Sequence, residues 1–467
     1  MAFATLLLFA LSLFIGWVIV RDAMTGRGDL MSLRNFFFAS FMLFQILSAL
    51  RALIPNFFAE YPLENPDTTS IIFAVCSWVF ILIFMGAYGH GFLVKSLARK
   101  LPGENASPAT ASLLLLAAII LGSGILFKQV LIYIPVFGPL SDKIGGGQLA
   151  LCVGLAMWAW APRLLNPIVA AYAGAIILAA VGASLVGNYG RRDLVSTLAA
   201  VPWAMYHAWW KSGGFSFALK RIAVFGGAGM LVVAAYSSVR GHSVTDGGLR
   251  SVASAMTGAN IKEGVADLAS GQYSANISMW LIENRPDPYE YDTLHSLKFG
   301  GTMIIPRKFY PDKPIGLGAV VPEQKRLRGK GDTFNVGPGM IGHIFHDNPW
   351  IALWLYPIIL GLGIRFVDEA IRSRYYSPFV ILPMGTGLGE VVGFARGDLG
   401  LFVFNAAMAM FAAYMTMVVV RVVLGWFGWQ PVYETEGEDW FDEHNPWGEH
   451  EASYEDYGED YDDSQAA

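Results

Sequence analysis

The residues best suited to chemistry in this chain are cations held in stiff backbone. The run Ile304-Ile305-Pro306-Arg307-Lys308-Phe309-Tyr310-Pro311-Asp312-Lys313-Pro314 packs three cations, two aromatics and three prolines into eleven residues. Proline fixes φ and removes a donor, so the run reads as a rigid extended strip, neither helix nor central strand. Around it, Glu283–Lys330 carries nine Lys and Arg, Arg285 among them, against six Asp and Glu. Guanidinium groups pair with phosphate oxygens through parallel donors, and lysine adds a point charge. A departing diphosphate gathers negative charge in its transition state. Fixed cations aimed at that charge are the largest catalytic effect available without a metal. Arg307, held between two prolines, is the cation such a strip would aim. Lys325, Arg326, Arg328 and Lys330 read more simply as charges that keep a loop solvated.

Three further groups stand out. Asn188-Tyr189-Gly190-Arg191-Arg192-Asp193 would present two guanidinium groups from a turn at a helix end. His343 and His346, followed by Asp347, lie just ahead of an apolar helix. Their spacing puts both imidazoles on one helical face. No third ligand stands nearby for zinc, so a general base fits better. Glu390 and Arg396 flank Val391–Ala395 near a helix end, and a carboxylate in a membrane helix is either functional or a structural ion pair. A phosphate-binding glycine loop and a serine nucleophile elbow are both missing from the sequence. Its one Asp-x-Asp, Asp460-Tyr461-Asp462, lies in the tail.

The elements that must position these groups are apolar. Of the 467 residues, 54% are hydrophobic and only 15% charged; mean hydropathy is +0.46. A soluble globular chain carries about 25% charged residues. The expectation is therefore an all-α polytopic integral membrane protein. With about 20 apolar residues per span, spans are expected near Phe3–Val20, Asn35–Ile54, Ile71–Leu93, Ala109–Phe127, Gln148–Ala161, Leu165–Leu185, Val195–Trp210, Ile222–Tyr236, Trp350–Phe366, Phe379–Phe394 and Leu401–Leu424. That makes about 11 transmembrane helices.

Basic loops set orientation. Arg21, Arg27 and Arg34, then Lys95, Arg99 and Lys100, place the first and third connections in the cytoplasm. Eleven spans then put Arg365, Arg372 and Arg374 inside and one long extracytoplasmic loop outside. Lys128, Lys143 and the pair Arg191-Arg192 fall outside against the rule, and such a violation points to function. The expected divisions are a transmembrane bundle over 1–236, the loop with the candidate site over 237–349, C-terminal spans over 350–424, and an acidic cytoplasmic tail over 425–467. From Tyr433 onward the tail holds 14 of the 37 acids and no Lys or Arg. The remaining 23 acids face 32 basic residues, a net charge of +9 that suits anionic substrates or headgroups. Cys76 and Cys152 lie in apolar spans and read as small buried hydrophobes.

The run Ile305–Pro314 resembles the "iPR-x-x-[WY/F]-P-x-K-P" signature of the Wzy-type O-antigen and exopolysaccharide polymerases, the oligosaccharide repeat unit polymerase family. Gly190-Arg191-Arg192 is similar to the glycine–arginine turn of such polymerases and of O-antigen ligases. Gly337–Trp350 stands where the family carries a "gEaYlNFG"-like stretch, but without its acidic and tyrosine residues. The resemblance implies a GT-C-like membrane glycosyltransferase architecture in the bacterial inner membrane, with chemistry on the outer face. It implies an undecaprenyl-diphosphate-linked oligosaccharide as donor and a second lipid-linked repeat unit as acceptor. Arg191, Arg192 and Arg307, with Arg285 and Lys313, would hold the diphosphate, and Glu390 and Arg396 would line the substrate site. His343, His346 or Asp347 would take the hydroxyl proton, while Tyr310 and Trp280 would stack on sugar rings. The scheme uses no metal and no cofactor. The partners it implies are membrane lipid, a chain-length regulator and other assembly proteins, and not nucleic acid. Transfer by an O-antigen-ligase-like enzyme, and translocation of a lipid-linked oligosaccharide, are the competing readings.

Overall fold

The computed structural model describes residues 1–53, 61–101, 106–134, 138–185, 192–239, 258–269, 273–325 and 335–431. Among them the regular structure is helical. In chain order the helices are α1 (Ala2–Met24), α2 (Leu33–Ala52), α3 (Pro66–His90), α4 (Phe92–Arg99), α5 (Thr110–Gln129) and α6 (Gly138–Trp160). Then come α7 (Pro167–Leu185), α8 (Arg192–Met205), α9 (Gly214–Val239), α10 (Ile261–Ala269), α11 (Ser274–Glu283) and α12 (His295–Thr302). The last six are α13 (Leu317–Gln324), α14 (Met340–His346), α15 (Pro349–Arg372), α16 (Pro378–Gly385), α17 (Leu388–Val391) and α18 (Leu399–Trp426). Among the described residues, nine helices are long and apolar enough to cross a membrane, which makes this a multi-pass membrane protein.

Two expected spans take another form. Val195–Trp210 lies in α8, which passes into a π-helical turn at Tyr206–Trp210. Phe379–Phe394 is no continuous helix. It is broken into α16 and the four-residue α17, followed by turns to Asp398. Pro383 and the glycines of Gly385-Thr386-Gly387-Leu388-Gly389 interrupt helical continuity there. The segment is nevertheless buried almost throughout. Its glycines allow close approach. A Cβ on Gly389 would lie 2.5 Å from the Arg192 carbonyl oxygen and would also strike Ser196 Oγ, while one on Gly393 would enter the Phe402 ring.

Aromatic packing joins the early helices. Phe37 and Phe41 of α2 meet Phe84 and Phe80 of α3 at ring separations of 4.8 and 5.8 Å, the second pair stacked. The described part of the expected loop is folded back onto the bundle. Every residue of α11 from Ser274 to Ile282 is buried. Glu283, at its end, caps α3 by accepting hydrogen bonds from Glu64 N (2.9 Å), Asn65 N (2.8 Å) and Thr69 Oγ1 (2.8 Å). A carboxylate is well placed against these N-terminal donors. Asn348 does the same for α15, its side chain accepting from Trp350 N at 3.2 Å.

The close packing of Gly389 on α8 predicts that Gly389→Ala destabilises the protein by about 1–3 kcal/mol. A lowered melting temperature in detergent is the readout; an unchanged one would mean that α8 and α17 separate without penalty.

Candidate functional site

The broken segment gathers the polar groups. In α17, Glu390 is buried, with Oε1 3.4 Å from Asn405 Nδ2 of α18 and Oε2 3.6 Å from Arg192 Nη1 of α8. Oε2 accepts no hydrogen bond among the described residues. The Arg192 guanidinium lies over the Phe402 ring at 4.4 Å. One residue on, Asp193 pairs with Lys128 at the end of α5, and Lys128 also lies 3.5 Å from Asp142 of α6. Lys143 completes the group, 3.3 Å from Asp142. Lys128 is only 3% exposed. Buried charge is tolerated where it is paired, and here the pairs alternate in sign across four helices.

The backbone of the same segment draws donors from its neighbours. Ser40 Oγ donates to Val392 O and Gln45 Nε2 to Ala395 O, each at 2.5 Å. Trp203 Nε1 donates to Ile381 O at 3.0 Å, and Ser196 Oγ accepts from Gly389 N at 3.1 Å. The N–H groups of Gly339 and Met340 donate to the carbonyls of Arg396 (3.0 Å) and Ala395 (3.1 Å), which ties α14 to the break. The Arg396 guanidinium lies 5.8 Å from the Phe44 ring centroid.

A second cluster sits at the start of α18. His343 is fully buried. Its Nδ1 is 2.6 Å from Ser296 Oγ, and its Nε2 is 3.1 Å from both Leu399 N and Gly397 O. With Nδ1 protonated, the ring donates to Ser296 and accepts the first N–H of α18. Asp347 is equally committed. Oδ1 meets His346 Nδ1 at 3.0 Å, and Oδ2 accepts from Ser296 N at 2.6 Å and from the Tyr356 hydroxyl. Burial alone would raise the Asp347 pKa. The hydrogen bonds from His346, Tyr356 and Ser296 outweigh it and hold the carboxyl below its ordinary value. Burial lowers both His343 and His346 despite Asp347 nearby, so these rings are neutral. His295 stands edge-on to His346, 4.9 Å between centroids, and is held by Asp292 at 2.6 Å and Ile315 O at 2.8 Å.

The proline strip closes on itself. Lys313 Nζ donates to Met303 O (3.0 Å) and Ile305 O (3.1 Å), and Arg307 Nη1 to Lys313 O (3.2 Å). Burial and the neighbouring Arg307 lower the Lys313 pKa. Arg307 is exposed, as are Lys308, Phe309 and Tyr310. The strip leaves the end of α12, where Gly300 packs on Gly400 in the first turn of α18. Arg192 stacks on Phe402, two residues further along that helix, so strip and ionic cluster share one end of the bundle.

The expected site residues therefore separate. Arg192 and Glu390 meet, and His343, His346 and Asp347 form one cluster. A general-base role does not fit His343 or Asp347, because their polar atoms are already engaged in holding α12, α14 and α18 together. His346 Nε2 has no hydrogen bond among the described residues. Sugar stacking on Trp280 does not fit either. The ring is 2% exposed, packed between Tyr61 and Tyr289, with Lys325 Nζ 5.2 Å above it. Arg285 is buried too, donating to Glu290 O and, at 3.3 Å, to Gln324 Oε1. Arg191 lies outside the described residues, as do Arg326, Arg328, Lys330 and the acidic tail. Asp142, Ser296 and Asn405 carried no expectation from the sequence, and Asp193 stood there only as the end of the Arg191-Arg192 turn. For the ionic cluster a signal existed: the expected topology puts Lys128 and Lys143 outside, against the positive-inside rule.

The neutral histidines predict a pH dependence. Their folded pKa lies below the ordinary 6.5, so the unfolded chain takes up protons first as pH falls. Stability is complete above that value and declines below it. Melting temperature should fall between about pH 7 and about pH 5, and a His343→Asn, His346→Asn variant should lose much of that slope. An equal slope in both proteins would count against buried neutral rings. Comparison of the chain with family models, with curated proteins and with solved structures gives no match.

Proposed function

We propose that this protein polymerises lipid-diphosphate-linked oligosaccharide repeat units at the outer face of a bacterial inner membrane. The observation that carries the reading is the meeting of Arg192 with Glu390, beside Lys128 and Lys143, at the bundle end that also bears the Arg307 strip. Cations and a carboxylate whose Oε2 accepts no hydrogen bond among the described residues are what a displacement at an anomeric carbon calls for. The acceptor hydroxyl oxygen bonds to the anomeric carbon of the donor glycan. The bond from that carbon to the diphosphate oxygen breaks, and the electron pair leaves with the lipid diphosphate. Arg192 and Arg307, with Arg191 and Lys313, stabilise the departing charge. Glu390 takes the hydroxyl proton through Oε2, the role first expected of the histidines. Tyr310, 37% exposed, offers a ring to a sugar face.

The orientation rests on eleven crossings, counting α8 and the α16–α17 segment with the nine long helices. Contacts support the alternation. The N-terminus pairs with Asp67 at the start of α3, and Lys211 after α8 pairs with Asp29 after α1 at 2.9 Å. Arg374 after α15 donates to Leu101 O after α4 at 2.8 Å. Those later pairings join the basic connections at the end the positive-inside rule assigns to the cytoplasm. The strip then faces outward.

A translocator of the same lipid-linked glycan is the second reading, favoured by the helix break at α16–α17. Broken helices line substrate sites in transporters. A ligase would use the same donor chemistry with another acceptor.

Replacement of Arg192 or Arg307 by Ala, or of Glu390 by Gln, should reduce chain extension at least ~100-fold, the scale of one general-base or oxyanion contact. Glycan sizing in cells making the native polysaccharide should then show single repeat units with normal protein level. Undiminished long chains would sink the polymerase; intermediate trapped on the cytoplasmic leaflet would favour the translocator. Reporter fusions after Lys262 and after Gly428 should read outside and inside respectively, and the reverse would overturn the orientation.

A further inference from the structure

At the end of the bundle away from the strip lies a cavity of about 270 Å³. The 24 residues of α15 span about 36 Å between the two ends. Its walls come from the α1–α2 turn, Tyr88 of α3, Tyr206 and Lys211 after α8, the start of α9 and the last turns of α15. Four cations and three carboxylates line it: Arg27, Lys211, Arg365 and Arg372, with Asp29, Asp368 and Glu369.

The carboxylates are already matched. Asp29 takes Lys211 at 2.9 Å and the Tyr206 hydroxyl at 3.3 Å. Glu369 takes Arg365 and Arg99, each at 2.8 Å. Asp368 caps α2, accepting from Leu33 N (2.8 Å), Arg34 N (3.2 Å) and the Tyr88 hydroxyl (3.0 Å). Arg34 itself is spent on Asp22 at 2.6 Å. Arg27 and Arg372 remain, with no carboxylate within 4.0 Å among the described residues. Buried Nε of Arg365 also lacks a hydrogen-bond partner there. Two unmatched guanidinium groups on one headgroup-sized cavity, beside a third with an unused donor, form a surplus of fork-shaped donors. Such forks suit phosphate oxygens.

From this we propose that the cavity binds a phosphate monoester or diester, carried by an anionic phospholipid headgroup or by a small phosphorylated solute. Ala23, Phe215, Ala218 and Ile371 line the same cavity and give the carbon part of either ligand an apolar wall. A basic pocket between helices at the cytoplasmic end is where an inner-leaflet anionic headgroup would sit. The inference uses no residue of the proposed glycosyl-transfer site and stands or falls separately from it.

The full chain in neutral detergent would be titrated with short-chain phosphatidylglycerol, with phosphatidylcholine, and with glycerol phosphate, following melting temperature and native mass. Saturable stabilisation by phosphatidylglycerol, weakened roughly tenfold or more in Arg27→Gln and Arg372→Gln, would support the site and name a lipid source. The same pattern with glycerol phosphate alone would support it with a soluble source. Both arginines are exposed, so the variants should fold. Lys220→Gln, an exposed cation outside the cavity, is the control. The proposal is overturned if neither phosphate ligand stabilises the protein, if phosphatidylcholine does so equally, or if Lys220→Gln weakens binding as much as the arginine variants.

Discussion

A helix that breaks inside a packed helical bundle frees backbone groups that water cannot reach to satisfy. That constraint governs the segment from Pro378 to Asp398. Each freed group left unpaired in hydrocarbon costs several kcal/mol. Irregular buried backbone survives only when neighbouring groups supply its hydrogen bonds. Ser40 and Gln45 from α2, and Ser196 and Trp203 from α8, donate or accept at the break. The backbone of Gly339 and Met340 closes it from the side of the long connection. The hydrogen bonds that make the break tolerable also dock the connection onto the bundle.

The break accounts for the charges around it. Glu390 sits on a four-residue helix with no long apolar surface to face lipid. It is therefore turned inward, toward α8 and α18. Arg192 answers it, and Asp193, the next residue, answers Lys128. Removing Lys128 would leave the largely buried Asp193 without its cation, at a cost of about 3–5 kcal/mol. The sequence of signs from Lys143 through Asp142, Lys128 and Asp193 is thus a connected unit rather than a set of independent surface charges. Its pairing also holds Arg192 in place over Phe402, two residues from the glycine on which the strip is mounted.

Length and hydropathy made the long apolar helices legible in the sequence, because each needs only its own residues to be recognised. That Ile304–Pro314 is not helical was legible for the same reason, since proline acts locally, but the expected extended strip is instead a run of turns closed by Phe309 N and Tyr310 N on Pro306 O. What escaped was everything decided by tertiary contact. Phe379–Phe394 has the hydropathy of a span, yet its glycines are shaped by Trp203, Ser196 and Phe402, which are distant in sequence. Trp280 carries an aromatic ring like any sugar platform, but α11 buries it against Tyr61. His343 and Asp347 read in the sequence as candidates for a general base. Only the fold reveals that Ser296 and the first N–H of α18 have claimed them. The misplaced cations Lys128 and Lys143 were visible as a violation of orientation, while their carboxylate partners were not, since Asp142 and Asp193 are ordinary residues until the helices are packed.

These distinctions bear on where reactivity can reside. A side chain whose every polar atom is hydrogen-bonded within the fold is committed to holding it, and disturbing it damages structure before chemistry. His343 and Asp347 are of that kind; so is Glu283, fully used in capping α3. Glu390 differs. Its Oε1 meets Asn405 at a long 3.4 Å, and Oε2 is left without a hydrogen bond beside an arginine 3.6 Å away. A buried carboxylate in that condition is costly to the fold, and α17 keeps it nonetheless. Asp398 Oδ1, at the end of the same segment, likewise has no hydrogen-bond partner among the described residues, so the break carries the cost of unpaired carboxylate oxygens at both Glu390 and Asp398.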